Sequence, residues 1–161
     1  MDTNNIKIGD VVAYYNSDGF VSSAITSLTH SKYSHVAIYI GSGMLVEGDG
    51  YSGHVKYKPI IEYKNHLGIY TLDFLTDEQR NAIASYMESK VGLKYDRLLL
   101  LWLFIKYKLH IKLPYINDTK VVCSEICNDA YKSIGKEYEL SKKRFPIPDD
   151  ILKKLKFIGS Y

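Results

Sequence analysis

The 161-residue chain has no apolar run close to the roughly 20 residues that a membrane-spanning helix needs; its strongest, Leu98 to Ile105, covers eight. A buried helix is the expected role of that segment. Cysteine is scarce: Cys123 and Cys127 are the only two, four positions apart in what reads as a helix. Such a pair is poorly placed for bridging, so a disulfide framework is excluded and reduced thiols are expected. His30, His54, His66 and His110 are scattered without ligand spacing, so no metal site and no cofactor is expected. The formal net charge of +3 is too small to argue for nucleic acid. Its densest basic run, Lys142-Lys143-Arg144 with Lys153 and Lys154 nearby, reads as a solvated surface and leaves an anionic substrate open. The opening residues Met1-Asp2-Thr3-Asn4-Asn5 lack the charged and apolar regions of a secretory signal. A cytoplasmic location is expected, with a phage or viral protein left open. No repeat, low-complexity stretch or linker interrupts the chain, so one domain over residues 1–161 is expected.

What the chain has in excess is tyrosine, fifteen in all. An apolar ring with a polar tip suits half-buried positions and cleft walls. Strands are predicted at Val11–Tyr15, His35–Ile40, Met44–Glu47, His54–Tyr57 and Gly68–Leu72, from β-branched and aromatic runs bounded by turn residues. The His35–Ile40 strand carries few charges on either face and should be central. Helical spacing is present over Phe20–Leu28 and Tyr95–Leu113. Thr76-Asp77-Glu78-Gln79 resembles a capping box opening a helix that runs to Val91, with Gly92 as its stop. The segment after Val122 enters a helix closed by Gly135, and Asp149 is expected to cap a short last helix through Leu155. A meandering sheet with helices packed beside it implies an α+β fold.

Cys123 follows apolar Val121-Val122 and precedes a helix whose buried stripe would be Ile126, Cys127, Ala130, Tyr131 and Ile134. The N–H groups of a helix N-terminus favour a thiolate and can receive an oxyanion. A small core thiol is the bland alternative. His35 opens a strand, where a simply hydrogen-bonded histidine is the bland reading. If Gly41-Ser42-Gly43 is the hairpin loop, Ile40 faces Met44, Tyr39 faces Leu45 and Ala37 faces Glu47. With a period of two, His35 then shares a face with Glu47 and Asp49, and Glu47 is its diagonal neighbour. Either carboxylate could accept the imidazole N–H and stabilise the imidazolium. A two-residue loop would put Glu47 on the opposite face. Tyr95, just past the helix stop, is a candidate second oxyanion donor beside the Cys123 backbone.

The pieces Ile8-Gly9-Asp10-Val11-Val12, Ser34-His35-Val36-Ala37-Ile38-Tyr39-Ile40-Gly41, Leu45-Val46-Glu47, Gly92-Leu93-Lys94-Tyr95-Asp96 and Val122-Cys123-Ser124-Glu125-Ile126 span nearly the whole chain. In that order they resemble the circularly permuted branch of the NlpC-type papain-fold cysteine hydrolases, in particular the YiiX/YaeF-like group, and more distantly the lecithin:retinol acyltransferase-like proteins. The resemblance implies a permuted papain-like fold with a barrel-like antiparallel sheet. It implies a triad with Cys123 as nucleophile, His35 as base and Glu47 as orienting residue, and Tyr95 close to the nucleophile. It also implies cleavage of an amide in a peptide, peptidoglycan peptide or N-acyl compound through a thioacyl-enzyme. A lipid thioesterase or acyltransferase, with Leu98–Ile105 as an acyl wall or membrane contact, and a non-catalytic binding or virion protein are the alternatives.

Overall fold

The computed structural model describes residues 5–15, 26, 31–50, 52–63, 65–94, 122–144 and 146–161. The readings made above for Phe20–Leu28, for Tyr95 and for Leu98–Ile105 fall outside these residues, Thr26 excepted. In chain order the elements are β1 (Val11–Tyr15), β2 (Tyr33–Gly41), β3 (Met44–Asp49), β4 (His54–Pro59), a 3-10 turn (Ile60–Tyr63), β5 (Leu67–Thr71), α1 (Asp77–Ser89), α2 (Cys123–Lys132), a second 3-10 turn (Lys136–Tyr138), α3 (Pro148–Leu152) and β6 (Lys156–Ser160). This is a mixed α+β arrangement.

All the strand pairs are antiparallel, in the order β4-β3-β2-β1-β5-β6. The sheet is open, which corrects the barrel-like closure expected from the sequence. Strand β6 pairs with β5 at one end of the order and β4 with β3 at the other, so among the described residues no ladder joins the two edges. Strands β1 and β2 lie in the interior and are buried on both faces, which is why both read as nearly continuous apolar runs.

One sheet face carries Val11, Ala13, Val36, Ile38 and Val46 and packs against Ile83 and Met87 of α1, Ile126, Ala130 and Tyr131 of α2, and Ile151 of α3. The other carries Val12, Tyr14, Ala37, Leu45 and Leu67 and is covered by Ile60, Tyr63, Ile6 and Tyr161.

The β2–β3 loop turns through Gly41 at φ +99°, Ser42 at +51° and Gly43 at +73°, left-handed geometry that glycine adopts without steric cost. Tyr39 pairs with Leu45 as the three-residue loop predicts, but Met44 faces Gly41 rather than Ile40, because a bulge between Tyr39 and Gly41 absorbs one residue. Helix α1 opens on the predicted box: Thr76 Oγ1 accepts from Gln79 N at 3.3 Å, and Gln79 Oε1 accepts from Thr76 N at 3.0 Å. The helix ends at Ser89, before the expected Val91. Asp149 is not the cap of the last helix. Ile147 holds that position, the Asp150 carboxylate accepts the Ile147 N–H at 3.2 Å, and Asp149 instead accepts a 2.6 Å hydrogen bond from Ser31. That helix stops at Leu152, and the tail returns as β6, a strand that the sequence reading did not include.

A buried ion pair ties α1 to the sheet. Asp10, fully enclosed, receives Arg80 Nη1 at 2.8 Å, Thr71 Oγ1 at 2.5 Å and the Lys7 backbone N–H at 2.9 Å. Arg80 spends its remaining donors on Ile8 O, Leu72 O and Thr71 Oγ1. A buried charge pair of this kind is stable only when every donor and acceptor is satisfied.

Candidate active site

Cys123 is the first residue of α2, with Val122 as N-cap in extended geometry. The Val122 side chain makes no capping hydrogen bond to the first turn. Helix α2 is fixed from behind by its apolar stripe and by Asn128, which exchanges two hydrogen bonds with the Ser141 backbone at 3.1 and 2.8 Å. From the front, Ser124 donates to Pro146 O. The start of the helix is therefore held against the β2 side of the sheet, and Cys123 is 4% exposed.

His35 sits where β2 bulges. Tyr14 pairs with His35, but Tyr15 pairs with Tyr33, so Ser34 is an extra residue. Tyr33 and Val36 consequently both face the helices although three positions apart. A bulge of this type re-aims the neighbouring side chain and tightens the local twist. The His35 side chain remains 21% exposed.

Glu47, on β3, is 2% exposed. Its Oε2 lies 3.4 Å from His35 Nε2 and accepts the Tyr14 hydroxyl at 2.9 Å, while its Oε1 accepts the Tyr63 hydroxyl at 2.9 Å. The Tyr14 ring also packs on the imidazole, with centroids 5.1 Å apart, and Tyr63 meets Tyr14 edge-on at 4.2 Å.

The electrostatics follow from these contacts. Burial works against the charged form of His35, but the charge of Cys123 and a hydrogen bond to it, followed by those of Glu47, outweigh burial and raise His35 from 6.5 to about 10. Burial also opposes ionisation of Glu47, yet His35 first and then the two phenols pull its carboxyl below the ordinary 4.5. Both tyrosines are pushed upward, by burial and by the carboxylate they serve. Cys127, one turn further along α2, is fully buried, and its thiol is pushed well up by burial. It has the character of a core residue.

The structure thus brings Cys123, His35 and Glu47 together. Asp49, the other carboxylate considered as orienter, turns to Lys56 at 2.6 Å and to the Ser52 N–H at 3.1 Å. Sequence reasoning missed Tyr14 and Tyr63. Tyr14 was legible as a strand residue sharing alternation with Val12. Nothing local marks Tyr63, whose place depends on how the 3-10 turn folds back over the sheet. Among the described residues, no group of three or more His, Cys, Asp or Glu is placed to hold a metal ion, and no helix is long and apolar enough to cross a membrane.

No family model matches this chain, and no curated protein matches it. Among solved structures, it matches a protein described as the metalloprotein YiiX from Escherichia coli O157:H7, a DUF1105 protein. The TM-score is 0.70 at 18% identity, over 96% of this chain and 97% of that one. The likeness is one of fold, and it fits the YiiX-like group that the sequence resembles.

Proposed function

We propose that this chain is a cysteine hydrolase of the permuted papain-like type that cleaves an amide bond in a peptide, a peptidoglycan peptide or an N-acyl compound. The observation that carries the reading is the imidazole of His35 between the Cys123 thiol and the buried Glu47 carboxylate. Three residues from β2, β3 and the start of α2 meet there, and such a cluster of perturbed ionisable groups is the arrangement that nucleophilic catalysis by a cysteine uses.

With Nε2 of His35 engaged by Glu47, Nδ1 is the ring nitrogen that serves Cys123. Proton transfer from sulfur to that nitrogen gives a thiolate–imidazolium pair, which Glu47 and the α2 N-terminus stabilise. The thiolate attacks the substrate carbonyl carbon, and the oxyanion that forms is received by the Cys123 backbone N–H. Collapse of the tetrahedral adduct breaks the C–N bond as His35 delivers its proton to the departing amine. His35 then takes a proton from water, whose oxygen attacks the thioester. Release of the carboxylic acid returns the thiolate and the imidazolium. Glu47 holds the ring and its charge throughout. The structural neighbour is described as a metalloprotein. Among the described residues no group of three or more His, Cys, Asp or Glu is placed to hold a metal ion, and the steps above use Cys123, His35 and Glu47 alone.

The test is trapping. The protein is incubated with muropeptides, N-acyl amino acids and lipid esters, and mass spectrometry reads the mass added at Cys123. A thioacyl adduct from an amide substrate that disappears in Cys123→Ala and falls in His35→Gln is the expected result. Turnover that survives Cys123→Ala ends the proposal. Adducts from lipid esters alone would move the reading to the acyltransferase branch.

A further inference from the structure

We infer that Tyr14 and Tyr63 are positioning residues of this site, holding the Glu47 carboxylate against the imidazole by one phenol on each of its oxygens. The inference rests on the proposed hydrolase reading and adds two residues to it. A carboxylate that is 2% exposed must replace its lost water. Tyr14 supplies a donor to Oε2 and Tyr63 to Oε1, both at 2.9 Å. Oε2 is the oxygen that faces His35, so Tyr14 and the imidazole share it. Tyr14 acts twice, because its ring also lies against the imidazole at 5.1 Å and limits ring rotation.

The two tyrosines are held differently. Tyr14 is 2% exposed and stands on interior strand β1, paired with His35 across the β1–β2 ladder. Tyr63 is half-buried at the end of the 3-10 turn. Lys58 lies over its ring at 5.2 Å and is itself anchored to Glu62 at 2.5 Å. The Lys58 cation and the Tyr14 ring thus both pack on the Tyr63 ring.

Without its donors, the buried carboxylate would ionise less readily and would hold the imidazolium less firmly. The imidazolium would be weakened, and with it the counter-charge that keeps Cys123 a thiolate. The experiment reads that chain of events in the complete protein. The rate of iodoacetamide alkylation at Cys123 is followed by peptide mass spectrometry from pH 4 to 10 in the wild type, Tyr14→Phe, Tyr63→Phe and the double variant. Thermal unfolding of each is recorded alongside. In Tyr14→Phe the acid limb of the alkylation profile should move up by about one pH unit, a roughly tenfold loss of thiolate on that limb. In Tyr63→Phe it should move less, and in the double variant more than in either.

A wild-type profile like that of an ordinary free thiol would overturn the hydrolase reading itself. A depressed wild-type profile that both single variants leave in place, in folded protein, would overturn the positioning role alone. Should Tyr14→Phe fail to fold, Tyr63→Phe decides, since it removes one oxygen from a half-exposed ring.

Discussion

Asp10, just before β1, and Glu47, on β3, are both carboxylates sealed from solvent, and each is met by a cationic side chain and at least one hydroxyl donor. They differ in the cation. Asp10 faces the guanidinium of Arg80, and a guanidinium keeps its proton throughout the ordinary pH range. Glu47 faces the imidazole of His35, a side chain that can both give up and take back a proton. The first pair fastens α1 to the sheet. The second stands beside a cysteine at a helix mouth, where a movable proton is chemistry. A buried acid acquires its role from the partner opposite it.

Removing the fixed partner should cost most. Asp10→Ala leaves Arg80 buried without a counter-charge, and should destabilise the protein by about 3–5 kcal/mol in chemical denaturation. A loss under about 1 kcal/mol would mean that the two acids are not distinct in this way. The corresponding change at the other pair, Glu47→Gln, should keep the fold while lowering turnover and Cys123 alkylation at neutral pH by on the order of 100-fold or more. Full reactivity in that variant would remove Glu47 from the site.

The pH dependence of stability separates the pairs next. Glu47 is held below 4.5, so its contribution is present above pH 4.5 and fades as pH falls through the folded value. His35 is raised from 6.5 to about 10, so its contribution is complete below pH 6.5 and is lost as pH rises through about 10. The wild type should therefore exceed His35→Gln in unfolding free energy most between about pH 4.5 and 6.5, and the gap should close toward pH 10. A gap that stays flat over that range would contradict the raised imidazole.

The smallest effect belongs to the helix that carries Arg80. Thr76→Ala should cost about 1 kcal/mol by loosening the first turn of α1. It should leave the Cys123 alkylation profile where it was. A shift in that profile would show that the two regions are coupled through α1.

Much of this was legible locally. The capping box at Thr76 and Gln79 is a four-residue pattern whose partners lie one turn apart, so sequence neighbours decide it. The strands β1 to β5 follow from runs of β-branched and aromatic residues, and the loop glycines fix the Tyr39–Leu45 pairing. Asp149 was misread because a cap is chosen by which acceptor reaches a backbone N–H. Here Ser31, 118 positions away in sequence, had already engaged it. Strand β6 was missed because residues 156–160 are largely exposed and become a strand only by pairing with β5. The Ser34 bulge is of the same kind, as one extra residue in a ladder has no signature until its partner strand is present.

The α+β alternation of elements, the start of α1, the placing of Cys123 at a helix N-terminus and the candidacy of His35 and Glu47 were readable from residue order alone. Those properties rest on hydrophobic period, turn chemistry and residue type, all of which act between near neighbours. The open sheet, the meeting of Glu47 rather than Asp49 with the imidazole, and the closing of Tyr14 and Tyr63 around it came from the folded arrangement. Each of these depends on the distance between residues far apart in the chain, and packing the layers against one another is what sets that distance.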